Sequence, residues 1–302
     1  MMHRALPLAA CLAALPAAQA VEPVPMHNTP SGHYAVNVSI RGEGPWPFVV
    51  DTGASHTAIA QPLAEHFGFV SSFERTDDVQ ALTNRFRAER FVVEDVLFGP
   101  AAIERLDAVV VPIAPDDDLA AYGLLGADAF GEGLVEIDFA GGLLHLDAAP
   151  PEHADARIDP ATGLIFATAR ISGVRRRVDV LIDSGAVRTL VNPALAASLY
   201  EAGAVIALNV GGVTDTFVRT EAVRLDRVRL GALCERQNIA LKADLDIFRA
   251  LGWEDRPAMV VGLDILDTSR IVIDRRTGAV EISPGPEGAG CPTGRIQRGD
   301  PS

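Results

Sequence analysis

The sequence has little of what metal- and thiol-dependent enzymes need. It contains three cysteines and seven histidines, all of the histidines lie at or before His153, and neither a His-Glu-x-x-His nor a Cys-x-x-Cys spacing occurs. A phosphate-binding loop and a dinucleotide-binding fingerprint are also missing. The residues therefore predict a protein that uses neither a metal nor a cofactor.

Positive charge is scarce as well. Lys+Arg number 26 against 40 Asp+Glu, which gives a formal net charge of −14 over 302 residues. Such a balance argues against nucleic acid or an anionic membrane as a partner. After the N-terminal segment, no apolar run approaches the ~20 residues that cross a bilayer as a helix. We expect no membrane span.

The N-terminal residues 1–20 have the pattern of an export signal. An apolar run follows an early arginine and ends at the small-residue cleavage pattern Ala18-Gln19-Ala20. A lipoprotein-type cleavage before Cys11 is the alternative, but the apolar stretch ahead of it is short. We expect a periplasmic or secreted protein without a lipid anchor, in which Cys234 and Cys291 are free to form a disulfide.

An internal repeat organises the rest of the chain. Three apolar residues lead into Asp51-Thr52-Gly53, and three more lead into Asp183-Ser184-Gly185, 132 residues later. Each copy is followed by an apolar-apolar-Gly landmark, at Gly126 and at Gly262. A repeat of this size predicts two similarly folded halves.

The repeated aspartates suggest a chemistry. An aspartate that ends an apolar strand places its carboxylate at the edge of a core, where burial is costly unless the group is paired. If Asp51 and Asp183 meet, like charges prevent both from ionising, and the pair shares one proton. Such a pair offers an acid and a base to one water molecule. The alternative is an ordinary strand-exit turn, which we favour for a single copy but not for two copies with matching landmarks.

These motifs resemble those of the aspartic peptidases of the pepsin and retropepsin superfamily, most closely a bacterial exported single-chain type with two fused retropepsin-like halves. The resemblance covers about residues 33–283. It implies a mainly β, bilobal fold with short helices and pseudo-two-fold symmetry, and Asp51 and Asp183 as a catalytic dyad with a shared proton. By the same resemblance, the residues that support the dyad are Thr52, Gly53, Ser55, Ser184 and Gly185.

The sequence also departs from the family pattern. Val187 stands where the first copy has Ser55, so the second turn is expected to lack one hydrogen bond. Gly211 and Gly212 resemble the glycine-rich tip of a retropepsin flap, which would close over an extended substrate. A plain hairpin turn is an equally good interpretation of these two glycines. No tyrosine occupies a flap position as in pepsins.

The domain limits follow from composition. The signal at 1–20 precedes a first lobe at 28–149 and a second lobe at 154–283, joined by a Pro-rich linker. The Gly- and Pro-rich tail, 284–302, is predicted to be disordered.

Local signals predict short helices. Pro62 should open a helix that Gly68 closes, and Asn192 should cap another ahead of Pro193. Asp128 is expected to cap a third helix after the first landmark.

The sequence thus predicts a monomeric aspartic endopeptidase that hydrolyses peptides or proteins with a water activated between Asp51 and Asp183. The alternative function is a catalytically silent protein that keeps the fold and serves as a peptide-binding module or scaffold.

Overall fold

Strands dominate the structure. The computed structural model describes residues 21–69, 76–113, 119–199, 208–211 and 217–286. The described residues form one sheet of eight strands and one of thirteen, with helices of at most six residues. The predicted mainly β, bilobal fold with short helices is thereby confirmed. The predicted signal, including Cys11, lies outside the described residues, as do Cys291 and the tail from residue 287 onward.

The strands are short except for one long antiparallel pair in each half. The strands of the first half are β1 (Val24–Pro25), β2 (His27–Asn28), β3 (Tyr34–Ile40), β4 (Glu43–Val50), β5 (Ala58–Ala60), β6 (Thr76–Gln80), β7 (Arg85–Phe98), β8 (Ala101–Val111), β9 (Gly123–Leu125), β10 (Leu134–Asp138) and β11 (Leu143–Leu146). The strands of the second half are β12 (Ala156–Ile158), β13 (Ile165–Ile171), β14 (Val178–Ile182), β15 (Leu190–Val191), β16 (Leu208–Gly211), β17 (Phe217–Leu230), β18 (Leu233–Lys242), β19 (Ala258–Val261), β20 (Ser269–Asp274) and β21 (Ala279–Pro284). The helices are α1 (Gln61–His66), a 3-10 helix (Ala127–Phe130), α2 (Pro193–Ala196), α3 (Asp246–Ala250) and α4 (Leu263–Leu266).

The two strands that lead to the repeated aspartates lie at sheet centres. In the eight-stranded sheet the order is β2-β3-β4-β9-β5-β8-β7-β6, and in the larger sheet β14 lies between β13 and β19. A central strand is covered on both faces, so its apolar residues run without alternation. The last three residues of β4 and of β14 are all buried for this reason.

Strand pairing repeats between the halves. Strand β4 is parallel to β9, as β14 is to β19, and β5 is parallel to β8, as β15 is to β18. Strand β5 is antiparallel to β9, as β15 is to β19, and the long strands β7 and β17 pair with β3 and β13. The repeat seen in the sequence is therefore also a repeat of strand topology.

The halves share one sheet. Strands β10 and β11 close the first half in sequence, yet β10 pairs antiparallel with β20, with Leu134 opposite Asp274 and Ile137 opposite Ile271. The backbone hydrogen bonds between β10 and β20 therefore join the two halves in one sheet. The lobe limits at 28–149 and 154–283 stay predictions.

The main apolar core also spans both halves. It contains Phe48 and Phe98 of the first half, Ile271 of the second, and Phe139, which follows the shared strand β10. Full burial of a side chain of this size contributes about 1.5–3 kcal/mol. Because one core runs through both halves, the same packed side chains support the strands that lead to both aspartate turns.

Two of the predicted helix signals are confirmed. Helix α1 carries Pro62 in its first turn, and Gly68 follows its end with φ +65°, a left-handed conformation that glycine adopts without strain. The Asn192 side chain accepts a hydrogen bond of 2.8 Å from the Leu195 N–H at the start of α2.

Among the described residues, no helix has the length and apolar character required to span a membrane. Cys234 is buried on β18 and is disulfide-bonded.

Candidate active site

Both repeated aspartates stand immediately after a central strand. The Asp51 N–H donates to the Leu125 carbonyl on β9, and the Asp183 N–H donates to the Val261 carbonyl on β19, each at 3.0 Å. The strands that carry the apolar-apolar-Gly landmarks therefore hold the first residue of each turn. This explains why the landmarks and the aspartates recur together.

The two carboxyl groups meet between the halves. Asp51 and Asp183 are 8% and 4% exposed, and each carboxyl group lies against the glycine of the opposite turn. Each also accepts a bond from the N–H two residues further on, at 2.8 Å from Gly53 and 2.9 Å from Gly185. Because two like charges this close and this buried repel each other strongly, the two groups do not ionise together readily, and the pair shares a proton.

The surroundings raise the pKa of both groups. Burial raises the pKa of Asp51, and burial followed by the charge of Asp51 raises the pKa of Asp183 well above its usual range. Hydrogen bonds from the turn N–H groups oppose the shift by stabilising the ionised forms. The pair therefore retains a proton to higher pH than a free carboxyl group does.

Hydroxyl side chains lock the two turns together. The Thr52 N–H donates to Ser184 Oγ and the Ser184 N–H donates to Thr52 Oγ1, both at 3.0 Å. The hydroxyls then donate across the interface, Thr52 to the Ile182 carbonyl at 3.0 Å and Ser184 to the Val50 carbonyl at 2.7 Å. Four buried hydrogen bonds thus hold the aspartates in register.

The turn glycines allow the close approach. A Cβ atom at Gly185 would lie 2.6 Å from the Asp51 carboxyl atoms, and one at Gly53 would overlap the Asp183 carboxyl. Ser55, in contrast, forms no side-chain hydrogen bond to either aspartate among the described residues. The hydroxyl difference between Ser55 and Val187 therefore does not distinguish the two turns.

Two threonine–aspartate pairs also support the site, and they were not predicted from the sequence. Asp128 accepts bonds of 2.8 Å from both the N–H and the hydroxyl of Thr57, and Asp264 accepts bonds of 2.9 and 2.6 Å from the same groups of Thr189. The expected helix cap by Asp128 is wrong, because its carboxylate is used by Thr57 and the N-cap position is Gly126. The available signal was that a threonine and an aspartate recur in both halves.

One hairpin crosses from the first half to the second. The turn between β6 and β7 places Leu82 against an apolar cluster of the second half that includes Trp253, and the Ile247 N–H of α3 donates to the Leu82 carbonyl at 3.4 Å. No glycine marks this hairpin. Of the two residues of the candidate flap, Gly211 ends β16 opposite Phe217, and Gly212 lies outside the described residues.

A group with metal-ligand spacing lies elsewhere. Glu136, Asp138 and His145 on β10 and β11 place one ligand atom each within 4.8 Å of one another. Arg270 forms ion pairs with both of these carboxylates. A cation would have to displace a guanidinium group, and none of the three residues belongs to the aspartate pair.

Comparison with known proteins agrees with this geometry. Residues 36–129, about a third of the chain, match a family model described as aspartyl protease. The matched region includes Asp51 and the first landmark, and it ends before Asp183. No curated protein matches the chain. The match supports a relation of the first half to the aspartyl proteases.

Proposed function

We propose that the protein is an aspartic endopeptidase in which Asp51 and Asp183 activate one water molecule to hydrolyse a peptide bond. The observation that carries the proposal is the pair of buried carboxyl groups on two turns that Thr52 and Ser184 join by hydrogen bonds. The match to an aspartyl protease family over the first half supports it.

The roles follow from the pKa directions. Asp183, with the more strongly raised pKa, carries the shared proton, and Asp51 is ionised. Asp51 takes a proton from the water as it attacks the peptide carbonyl carbon, while Asp183 gives its proton to the carbonyl oxygen. No covalent intermediate with the protein forms. Collapse of the tetrahedral species breaks the C–N bond, and a proton passes to the leaving amine.

We further propose that the chain consists of two fused retropepsin-like halves and acts outside the cytoplasm. The repeated strand pairing supports the first point, and the signal pattern at residues 1–20 supports the second. A site between two lobes suits an extended peptide, and we propose that the hairpin that carries Leu82, which packs against the second half, covers such a substrate.

The test is cleavage of a proteome-derived peptide library by the wild type and by Asp51→Asn and Asp183→Asn. We expect defined cleavage sites with the wild type and none with either variant. The fold of each variant is checked by circular dichroism, since Asn closely matches protonated Asp in shape. Cleavage that survives in both folded variants, or that requires added zinc, would contradict the mechanism. A folded wild type that binds peptides without cutting them would establish the silent alternative instead.

A further inference from the structure

A turn of the first half reaches the second aspartate turn. It comprises residues 29–33, just before β3, and places His33 Nε2 3.1 Å from the Gly185 carbonyl oxygen. A Cβ atom at the neighbouring Gly32 would lie 3.9 Å from the Val187 side chain, so the two turns are in contact. The function proposed above does not use His33.

The hydrogen bonds around His33 have a defined direction. Burial lowers the pKa of His33, against a smaller upward effect of the Gly185 carbonyl, so the ring is neutral at neutral pH. A carbonyl oxygen only accepts, which places the ring proton on Nε2 and leaves Nδ1 as the acceptor for the Ser31 hydroxyl at 2.8 Å. Thr29 then donates to Ser31 at 3.0 Å and accepts from the His33 N–H at 3.2 Å.

One residue of the second aspartate turn connects this chain of hydrogen bonds to Asp183. The carbonyl that accepts from His33 belongs to Gly185, and the N–H of Gly185 donates to Asp183 Oδ1 at 2.9 Å. The next N–H, of Ala186, donates to the Asp183 main-chain carbonyl at 3.3 Å and closes the turn. Because a hydrogen bond to the Gly185 carbonyl restricts the rotation of this turn, the bond from His33 orients the Gly185 donor to the Asp183 carboxyl.

The repeat supplies an internal comparison. Ala35 pairs with Val49, two residues before Asp51, and Phe166 pairs with Leu181, two residues before Asp183. Two residues before Ala35 is His33, and two residues before Phe166 is Leu164. Leu164 is buried in an apolar cluster and has no polar side-chain atom. The histidine is thus a feature of one side of the site and is not required by the fold.

We propose that His33 is a positioning residue for Asp183, and that it acts through Gly185. The kinetic consequences rest on the proposed peptidase function. Loss of the ring donor should loosen the turn, weaken the hydrogen bond from the Gly185 N–H to ionised Asp183 and make the second ionisation of the pair harder. The alkaline limb of the pH–rate profile should therefore move to higher pH, while substrate binding is little affected.

The kinetic test compares His33→Leu, which copies the residue of the other half, with His33→Gln, which keeps an N–H donor at similar reach. We expect His33→Leu to lower kcat about three- to tenfold with KM nearly unchanged, and to raise the alkaline limb by about half a pH unit. His33→Gln should restore most of both properties. His27→Leu, the same change at an exposed site of the same hairpin, should match the wild type. Equal pH limbs in all four proteins would overturn the inference, as would a His33→Gln variant as impaired as His33→Leu.

A second measurement separates this inference from the proposed function. Unfolding is followed against pH for the wild type, His33→Leu, Asp183→Asn and the double variant. The destabilisation by His33→Leu should grow as pH rises and Asp183 ionises, and it should not grow in the Asp183→Asn background. The same pH dependence in both backgrounds would overturn the inference even if the wild type cleaves peptides. The expected difference would support it even if no cleavage is found.

Discussion

Thr52 and Ser184 each donate a backbone N–H to the other's hydroxyl oxygen at 3.0 Å, so that the two halves of the protein meet through a symmetrical exchange of hydrogen bonds. Both residues are buried, and both hydroxyls are also donors to a carbonyl of the opposite strand end. The N–H and hydroxyl groups of both residues thus depend on partners in the other half.

Removal of one hydroxyl should therefore destabilise the whole molecule. Thr52→Val keeps the shape but leaves the Ser184 N–H and the Ile182 carbonyl without partners, at about 1–3 kcal/mol each. We expect a loss of about 2–6 kcal/mol in the free energy of unfolding, measured by urea denaturation. Thr168→Val, at an exposed position of β13, should change it by less than about 0.5 kcal/mol. Equal stabilities of the two variants would show that the mutual hydrogen bonds of Thr52 and Ser184 contribute little to the free energy of unfolding.

Peptide hydrolysis should have a bell-shaped pH dependence, because one carboxyl must be ionised and one protonated. Since the surroundings raise the pKa of both groups, the active range should extend above the usual titration range of a carboxyl group. Asp51→Asn and Asp183→Asn should each lower kcat/KM by at least about 10²–10⁴-fold, measured across the pH range. The exposed Asp226→Asn should leave it unchanged. A profile without an alkaline limb would argue against a shared proton.

The stability of Asp183→Asn relative to the wild type should increase with pH. The pKa of Asp183 is raised on folding, so above pH ~3.9 the folded wild type holds a proton that the unfolded chain has released. Wild-type stability then falls by up to about 1.4 kcal/mol per pH unit until the folded group ionises. Below pH ~3.9 the Asp183 carboxyl is protonated in both the folded and the unfolded state, so the stability that the variant gains relative to the wild type should disappear. Denaturant unfolding between pH 3 and 8 measures the difference, and a difference independent of pH would contradict the assigned pKa direction.

Gly53→Ala should inactivate the protein by displacing Asp183. The added methyl group would overlap the Asp183 carboxyl, and a shift of about 1 Å at a reacting group can cost about 10²-fold in rate. We expect at least that loss in kcat. Gly133→Ala is the matched control, because a Cβ atom there would meet nothing within 4 Å. A Gly53→Ala variant with full activity would mean that the turns separate easily.

Leu82→Ser should weaken the contact between the first-half hairpin and the second half. Leu82 is partly buried against the cluster around Trp253, and loss of that apolar contact is worth about 1 kcal/mol. If the hairpin covers bound substrate, KM for a peptide should rise about fivefold. Leu97→Ser, on the exposed side of β7, should leave KM unchanged. Equal KM values in both variants would show that the hairpin does not act as a lid.

Short-range patterns in the chain were enough to predict the fold class, the repeat and the position of each repeated aspartate at the end of a central strand. Continuous apolar runs identify the central strands at Asp51 and Asp183, because a strand covered on both faces has no alternation. Proline and asparagine at fixed places predicted the starts of α1 and α2, because capping depends on neighbouring residues. The resemblance to aspartic peptidases rested on these same local motifs.

The remaining features depend on residues that are far apart in the chain. Asp128 carries a good cap signal, yet its carboxylate binds Thr57, because tertiary packing brings a threonine with two donors 71 residues away within reach. The hairpin with Leu82 has no glycine, and its docking depends on an apolar surface of the second half. His33 is ordinary in sequence, and its place beside Gly185 comes from contact between turns 152 residues apart. Local patterns determine strands and turns, whereas the choice of hydrogen-bond partner depends on which groups the folded core leaves next to each other.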